Sequence, residues 1–562
     1  MSQATQVFGD RRHVASVAEP AHQQSPVHRA APNMARSALI VGLAFVLSRI
    51  LGVAREVILA RTFATGPEMD AYVSAFRIPD LLFLTVFSGA FGAAFIPIFG
   101  DFVDRGDKDR AWRLASAVLT WSGIAVVVLS SIMFVAARPL MHLVSPGFDQ
   151  PTMDIAVSLM RILLLSPVFL GLGIAAKGIL EAQNQFTLPA IAPLVYNLCT
   201  IIGAAFFAPT YGIKAVAWGL VIGALGHFLT QVPGLIRSGI SFRPTMDRQV
   251  DGLKEVARLF GPRVLGLAAF QINLVAVTAF ASISGPSDVA AVNYSQQLLM
   301  LPHGVLALSI STVAFPSLAA LFSRGDSDGF RLLLDRTMRP LLFLTFPASA
   351  GLLLVRKPIV QVIYERGNFG PTDTNLVIAP LAFFAIGLVG YGLTEIVTRV
   401  FYATRDTRTP VITTVLTVAL NIVLCGLFVH SLGAGGLALA LSLTTASEAV
   451  ILLLFLRHRI GSVVAPDFWA WLARVIAATA GMSLVILLTI DRLERAMLFA
   501  PTSIARYGIF LFAMVMYVLA FLVCAQALRI PELEAVIDRL VSRLPAPVAR
   551  VAHLLGFGRA SA

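Results

Sequence analysis

Ser48-Arg49-Ile50-Leu51-Gly52-Val53-Ala54-Arg55-Glu56 lies inside an apolar run, residues 37–63, that is long enough to cross a bilayer. Three formal charges therefore fall where the surroundings should be hydrocarbon. At 100° per residue, Ser48 and Arg55 sit on one flank of Gly52 and Arg49 and Glu56 on the other, so the polar groups share a face about 120° wide. One side of this helix is wet. An Arg at mid-membrane costs roughly 2.5 to 3.5 kcal/mol on insertion scales, so two on one face imply an internal cavity or a bound anion rather than lipid contact. Gly52, central on that face, lets something approach the backbone closely. The plainer alternative is a structural ion pair between Arg49 and Glu56, seven residues apart, which leaves Arg55 over.

The whole chain fits that setting. Its 562 residues are 57% hydrophobic and 13% charged, with mean hydropathy +0.81, outside the range of soluble globular proteins. The expected fold class is an all-α polytopic membrane protein. Cys199, Cys425 and Cys524 stand singly in apolar spans and offer neither a disulfide framework nor metal-ligand spacing. The net charge of +12 would suggest nucleic acid in a soluble chain, but here no nucleic-acid partner is expected.

Apolar runs recur to give about fourteen helices, among them residues 337–355, 409–430, 435–456, 469–490 and 503–528. The expected organisation is a disordered tail (1–36), a first lobe (37–236), a basic linker (237–255), a second lobe (256–456), two further helices (469–528) and an amphipathic tail (529–562). With alternate loops on opposite sides, the side of the N-terminal tail collects about 27 Lys and Arg and the other about 8, which places both termini in the cytoplasm. In the last tail, Leu533, Val536, Ile537, Leu540, Val541 and Leu544 recur at helical spacing with Arg539 and Arg543 among them, suiting a helix on the membrane surface or a solvated one.

An internal repeat organises the middle. Gly66-Pro67 returns as Gly285-Pro286, Ala71 as Ala290, Pro97 as Pro316 and Arg105-Gly106-Asp107 as Arg324-Gly325-Asp326. Residues 182–189 echo residues 403–410 at an offset two residues longer. An offset of six helices is even, so the two lobes insert with the same orientation, as in transporters that rock one lobe against the other around a central site. The repeat also shows where the lobes differ: Arg49 falls on Ala268, Arg55 on Leu274 and Arg77 on Gln296. The anionic part of a substrate should sit on the first lobe.

Other chemistry is thin. The chain has no phosphate loop of the GxxxxGK[ST] kind, no HExxH and no GxSxG. Asp101, Asp104, Asp107 and Asp109 interleave with Arg105, Lys108 and Arg110, which suits a solvated loop better than a Mg²⁺ site. No enzyme activity, metal or cofactor is expected. Asp70 opens the second span, either as a helix cap or as a gate. Arg77, Pro79 and Asp80 follow, with Pro79 expected to kink the helix and Arg77 to face the cavity or snorkel to the interface. Glu395 and Arg399, four apart, pair. Glu448, among Ser442, Thr444, Thr445 and Ser447, has no basic partner on its own helix, so it either carries a coupling H⁺ or Na⁺ or is a neutral acid holding helices together.

Ser48 to Glu56, followed by Met69-Asp70-Ala71-Tyr72, Phe76-Arg77-Ile78-Pro79-Asp80 and the stretch from Gly89 to Pro97, resembles the MurJ (MviN) lipid II flippases of the multidrug/oligosaccharidyl-lipid/polysaccharide exporter superfamily. The likeness runs from about residue 37 to 530. It implies a flippase without covalent chemistry that moves undecaprenyl-pyrophosphate-linked peptidoglycan precursor from the inner to the outer leaflet. It also implies that Arg49, Arg55 and Asp70 are functionally important, with cavity arginines meeting the pyrophosphate. Membrane lipids, and an ion or the membrane potential, would be the other partners. Two departures stand out. Where family members commonly carry an Arg pair and an acid, this chain has Phe83, Leu84 and Ser88, and where they carry an Arg in the eighth span it has Gln297. The alternatives are therefore a flippase for another polyprenyl-linked glycan, or a cation or drug antiporter of the same superfamily.

Overall fold

Several helices begin here where a Pro supplies a preset φ or a carboxylate caps free N–H groups, and several end near glycines at positive φ, among them Gly106, Gly212, Gly325 and Gly461. The computed structural model describes residues 32–88, 95–461, 463–500 and 502–534. The N-terminal tail up to residue 31 and the amphipathic tail beyond 534 lie outside the described residues.

The first lobe comprises α1 (Pro32–Phe63), α2 (Pro67–Phe83) with its continuation α3 (Ile96–Asp104), α4 (Lys108–Val135), the short α5 (Ala137–Val144), α6 (Gln150–Leu163) with α7 (Ser166–Ala182), α8 (Thr187–Ile202) with α9 (Ala208–Tyr211), and α10 (Ile213–Leu229) with α11 (Val232–Arg237). The second comprises α12 (Leu253–Ser284), α13 (Asp288–His303) with α14 (Ser309–Ser323), α15 (Ser327–Leu354), the short α16 (Arg356–Ile363), α17 (Pro371–Ala403) and α18 (Arg408–Ile460). The last of these is broken at Gly433 (φ 54°, ψ −138°) into two antiparallel-capable halves, matching the separate runs expected at 409–430 and 435–456. Two further helices, α19 (Phe468–Leu498) and α20 (Ser503–Ala527), pack on each other and on α15. Eleven helices among the described residues are long and apolar enough to cross a membrane.

The repeat is visible in detail. Gly106 and Gly325 both take positive φ (77° and 71°), and each is followed by an aspartate cap: Asp107 accepts from the Arg110 N–H and Asp326 from the Gly329 N–H. Asn184 and Arg405 both sit at positive φ, 60° and 61°. α5 and α16 occupy equivalent positions, and one turn of π-helix interrupts the second helix of each lobe, at Leu84–Ser88 and Gly304–Leu308. Neither short helix stands out in the sequence, because each is a surface element beside a long apolar run.

Two helix boundaries differ from expectation for one reason. α15 starts at Ser327 rather than 337, and Asp335, in the added turns, does not end it: its carboxylate accepts from Arg339 at 2.8 Å on the same helix and from the Ala465 N–H at 3.2 Å before α19. α19 runs on to Leu498 rather than 490, with Glu494 held by Lys357 at 2.5 Å. Charges paired across the fold no longer mark a helix end. α1 likewise starts at Pro32, inside the segment expected to be tail.

The lobes meet at the Gly66 end. One apolar core runs through both there, from Leu59, Met69 and Leu82 of the first lobe to Tyr294, Phe369 and Val377 of the second. Toward the Arg105 end, Phe330, Leu334, Phe401 and Leu452 make a core within the second lobe alone.

Candidate functional site

α1 packs chiefly on α8, and its half nearer the N-terminus is exposed: Leu43, Phe45, Val46, Leu47 and Ile50 all show large apolar surface. Arg49 belongs to that exposed stretch, with its guanidinium 5.4 Å over the Phe45 ring. Gly52 faces open space, since a Cβ there would meet nothing within 4 Å. Ser48 is half-buried on the adjoining flank.

Arg55 is the anchored cation. Its Nη2 donates to Glu56 Oε1 at 2.8 Å and its Nη1 to Asn197 Oδ1 of α8 at 3.3 Å. The Asn197 amide is oriented by its own bond to the Pro193 carbonyl, 3.2 Å, so its oxygen is left to face the guanidinium. Tyr72 and Tyr196 are its other electrostatic neighbours. The alternative pairing of Arg49 with Glu56 is thereby corrected, as is the expectation that Arg55 is left over. Seven residues separate Arg49 from Glu56 by about 10 Å along the axis, whereas the long Arg55 side chain reaches its neighbour directly. Arg49, not Arg55, is the guanidinium held by a ring rather than an acid.

Arg77 and Asp80 do not point into open space. Arg77 Nε donates to Thr278 Oγ1 at 2.9 Å and Asp80 Oδ2 accepts from Gln271 Nε2 at 2.8 Å, so both tie α2 to α12 of the other lobe. Gln271 is the repeat counterpart of Gly52, an amide in an apolar run that the repeat itself could have flagged. Pro79 is buried within α2, and a π turn follows at Leu84–Ser88. Phe83 and Leu84 are half-buried beside that turn.

Beyond Arg55 and Glu56 the space between the lobes is shut. Tyr294, Tyr364 and Phe369 stack with ring centroids 5.0 to 5.9 Å apart, and Glu56 lies beside the two tyrosines. Tyr294 donates to the Ala64 carbonyl at 3.1 Å. Asp70, 3% exposed, accepts from the Ser287 N–H at 2.8 Å and the Ala290 N–H at 2.7 Å. It is a cap, but of the other lobe's α13, where the helix dipole favours a negative group. Asp373 accepts from the Thr65 N–H at 3.1 Å, and Asn368 binds the Arg61 and Thr62 carbonyls at 2.9 and 2.7 Å.

Gly147 belongs to the same seal. Its N–H donates to Ser282 Oγ at 3.2 Å, and a Cβ there would stand 2.1 Å from the Ser282 carbonyl oxygen. Gly147→Ala is therefore expected to hold the Gly66 end ajar without disturbing either lobe. Labelling of a Gly52→Cys chain by a membrane-impermeant thiol reagent checks this: the variant gains labelling from the Gly66 side, and unchanged labelling would contradict it.

In the second lobe Glu395 and Arg399 pair at 2.7 Å as expected, with Ser311 also donating to Glu395. Glu448 accepts from Thr414 Oγ1 at 2.7 Å, a bond to the neighbouring half of α18. Asn273, Asn421 and Thr444 form a separate buried polar set that sequence reading missed, with Asn273 and Asn421 2.6 Å apart. Among the described residues, no group of three His, Cys, Asp or Glu is placed to hold a metal. The three cysteines are free.

The sequence matches the family described as "Lipid II flippase MurJ" over residues 59–530. It is 32% identical over 435 residues to a Lipid II flippase MurJ of Burkholderia cenocepacia, covering 76% of this chain and 84% of that one. It is 31% identical over 513 residues to a Probable lipid II flippase MurJ of Rhizobium tropici, covering 87% and 94%. Among solved structures, "Lipid II flippase MurJ, inward closed conformation" superposes with a TM-score of 0.73 at 24% identity, over 87% of this chain and 99% of that one. The inward-facing conformation of a multidrug resistance MATE family transporter of the MOP superfamily gives 0.65 at 16% identity, over 76% and 98%.

Proposed function

The chain belongs to the MurJ family of lipid II flippases, and we propose that it moves lipid II, the undecaprenyl-pyrophosphate-linked peptidoglycan precursor, from the inner to the outer leaflet by alternating access. The observation that carries the mechanism is the placement of two guanidiniums below one seal. Arg49 is exposed on α1, and Arg55 stands about 9 Å further toward the shut Gly66 end, where the stacked tyrosines close the way out.

With both termini in the cytoplasm of a bacterial inner membrane, the Arg105 end faces the cytoplasm and the present state is loaded from inside. The pyrophosphate meets Arg49 first and Arg55 next, each suited to bidentate phosphate bonding, while the polyprenyl chain stays in the bilayer. Arg77 joins them when the lobes rock, because the Thr278 bond that now holds it crosses the plane along which they part. The same rocking breaks the Asp70 cap and opens the outer face. No bond of the substrate is made or broken.

A second reading, a flippase for another polyprenyl-pyrophosphate-linked glycan, is favoured by one observation: Phe83, Leu84, Ser88 and Gln297 stand where family members commonly carry charge. One experiment addresses both readings. In cells depleted of their own flippase, this chain restores growth, and mass analysis of the lipid-linked precursor that accumulates without it identifies the cargo. Failure to restore growth sinks the first reading, and accumulation of a different glycan supports the second.

Coupling falls to Glu448, an acid within an apolar helix whose hydrogen-bond donor is a hydroxyl rather than a cation. Glu448→Gln is expected to leave insertion intact and remove the response of transport to an imposed pH or Na⁺ gradient. A full response in the variant would remove Glu448 from the coupling.

A further inference from the structure

The flank of the first lobe that faces away from the second carries two clefts that share Trp218. The larger, ≈ 680 Å³, is an apolar furrow between α8 and α10. Its floor is backbone. A Cβ on Gly203 would lie 2.7 Å from the Ala215 carbonyl oxygen and one on Gly219 2.8 Å from that of Cys199, so the helices touch main chain to main chain. Phe207, at the π turn that interrupts this span, walls one side, and Trp218 and Ile222 the other, all exposed. α10 packs on α6, α7 and α8, all of its own lobe, so the furrow opens to the bilayer and not to the space between the lobes.

The second cleft, ≈ 510 Å³, adjoins it at Trp218 and sets Arg138, Asp154 and Arg161 among apolar side chains. Arg161 stacks 5.4 Å over the Phe134 ring and reaches the Phe134 carbonyl at 3.4 Å, with no acid bonded to it among the described residues. Arg138 is occupied by Asp154 at 2.6 Å and Gln150 at 3.2 Å. Lys214, exposed at the end of the furrow, lies one helical turn before Trp218 and so on the same face. Three cations against one acid leave a positive site beside an apolar furrow, with Trp218, a residue type that favours the bilayer interface, between them.

We propose that this flank is a binding site for an anionic diacyl phospholipid of the leaflet at the Gly66 end, with its phosphate on Arg161 and Lys214 and one acyl chain in the furrow between α8 and α10. The charge excludes a preference for zwitterionic lipid, and the position excludes the chain of a substrate held between the lobes. The site is independent of the transport cycle and of the assignment of its cargo.

Native mass spectrometry of the full chain, with phosphatidylglycerol and phosphatidylcholine added in equal amounts, tests it. Wild type retains phosphatidylglycerol preferentially. Each of Arg161→Gln and Lys214→Gln weakens retention about five-fold, the attraction of one basic residue for an anionic leaflet. Brominated phosphatidylglycerol quenches a component of the tryptophan fluorescence that Trp218→Phe removes. Equal retention of the two lipids, retention unchanged in both Gln variants, or quenching unaffected by Trp218→Phe would overturn the proposal. So would undecaprenyl phosphate displacing phosphatidylglycerol from wild type, which would reassign the furrow to the substrate's chain.

Discussion

Arg55→Ala abolishes rescue of flippase-depleted cells, an effect expected to be larger than that of any other single substitution in the first lobe. Two losses combine. The pyrophosphate loses a charge-assisted partner worth about 1.5 to 3 kcal/mol, roughly ten- to hundred-fold in binding. Glu56 is also left without its cation beside Tyr294 and Tyr364, and breaking a buried pair in this way costs about 3 to 5 kcal/mol. That second term is comparable with the whole stability of many proteins, so Arg55→Ala alone would confound folding with transport. Arg55→Ala combined with Glu56→Gln separates them: the double variant reaches the membrane at wild-type level and still fails to support growth. Growth at the wild-type rate would remove Arg55 from the substrate path. Arg49→Ala needs no such control, because Arg49 is exposed and rests on a ring, so its loss falls on transport with membrane levels unchanged.

Asp70→Asn is the second large effect, and it acts on the conformational equilibrium. In the shut state the carboxylate accepts from two N–H groups at the start of α13, Ser287 and Ala290. An amide keeps one acceptor oxygen and loses the charge that the helix N-terminus favours. Losing one charge-assisted hydrogen bond of about 1.5 to 3 kcal/mol moves the ratio of shut to open forms roughly ten- to hundred-fold. In the Gly52→Cys background, impermeant thiol reagent added at the Gly66 side then labels the Asp70→Asn chain and leaves the Asp70 chain unlabelled, while growth rescue is lost. Equal protection in both would mean that the remaining bonds, Thr65 to Asp373 and Asn368 to Arg61 and Thr62, close the end without help from Asp70.

The parts legible in the sequence are those governed by local pattern. Apolar runs gave the long helices, and the repeated Arg-Gly-Asp turns gave the two lobes, because a left-handed glycine followed by an aspartate cap is specified within four residues. The clustering of Ser48, Arg49, Arg55 and Glu56 about Gly52 was likewise readable from spacing, and a Cβ on that glycine would meet nothing within 4 Å. What the sequence concealed depends on partners far along the chain. Asp70 caps a helix 217 residues away, Arg77 is held by Thr278, and Asp335 is satisfied in part by the Ala465 N–H, so that a charge outside the expected span lies inside the helix. The Arg55 to Glu56 pair failed for a different reason. Adjacent residues lie about 100° apart on a helix, and a search for same-face partners passes over them, although a guanidinium on a long stem reaches round the turn.

The central claim is that guanidiniums of α1 receive a diphosphate in a chamber open on one side and shut on the other. Its most direct measurement is the fraction of lipid-linked peptidoglycan precursor that an enzyme added outside can cleave, in cells whose own flippase is depleted and replaced by this chain. With the unaltered chain most of the precursor becomes cleavable from outside. With Arg49→Ala, or with Arg55→Ala plus Glu56→Gln, it stays protected although the protein is present at equal level. Cleavage in either variant equal to that of the unaltered chain would contradict the account.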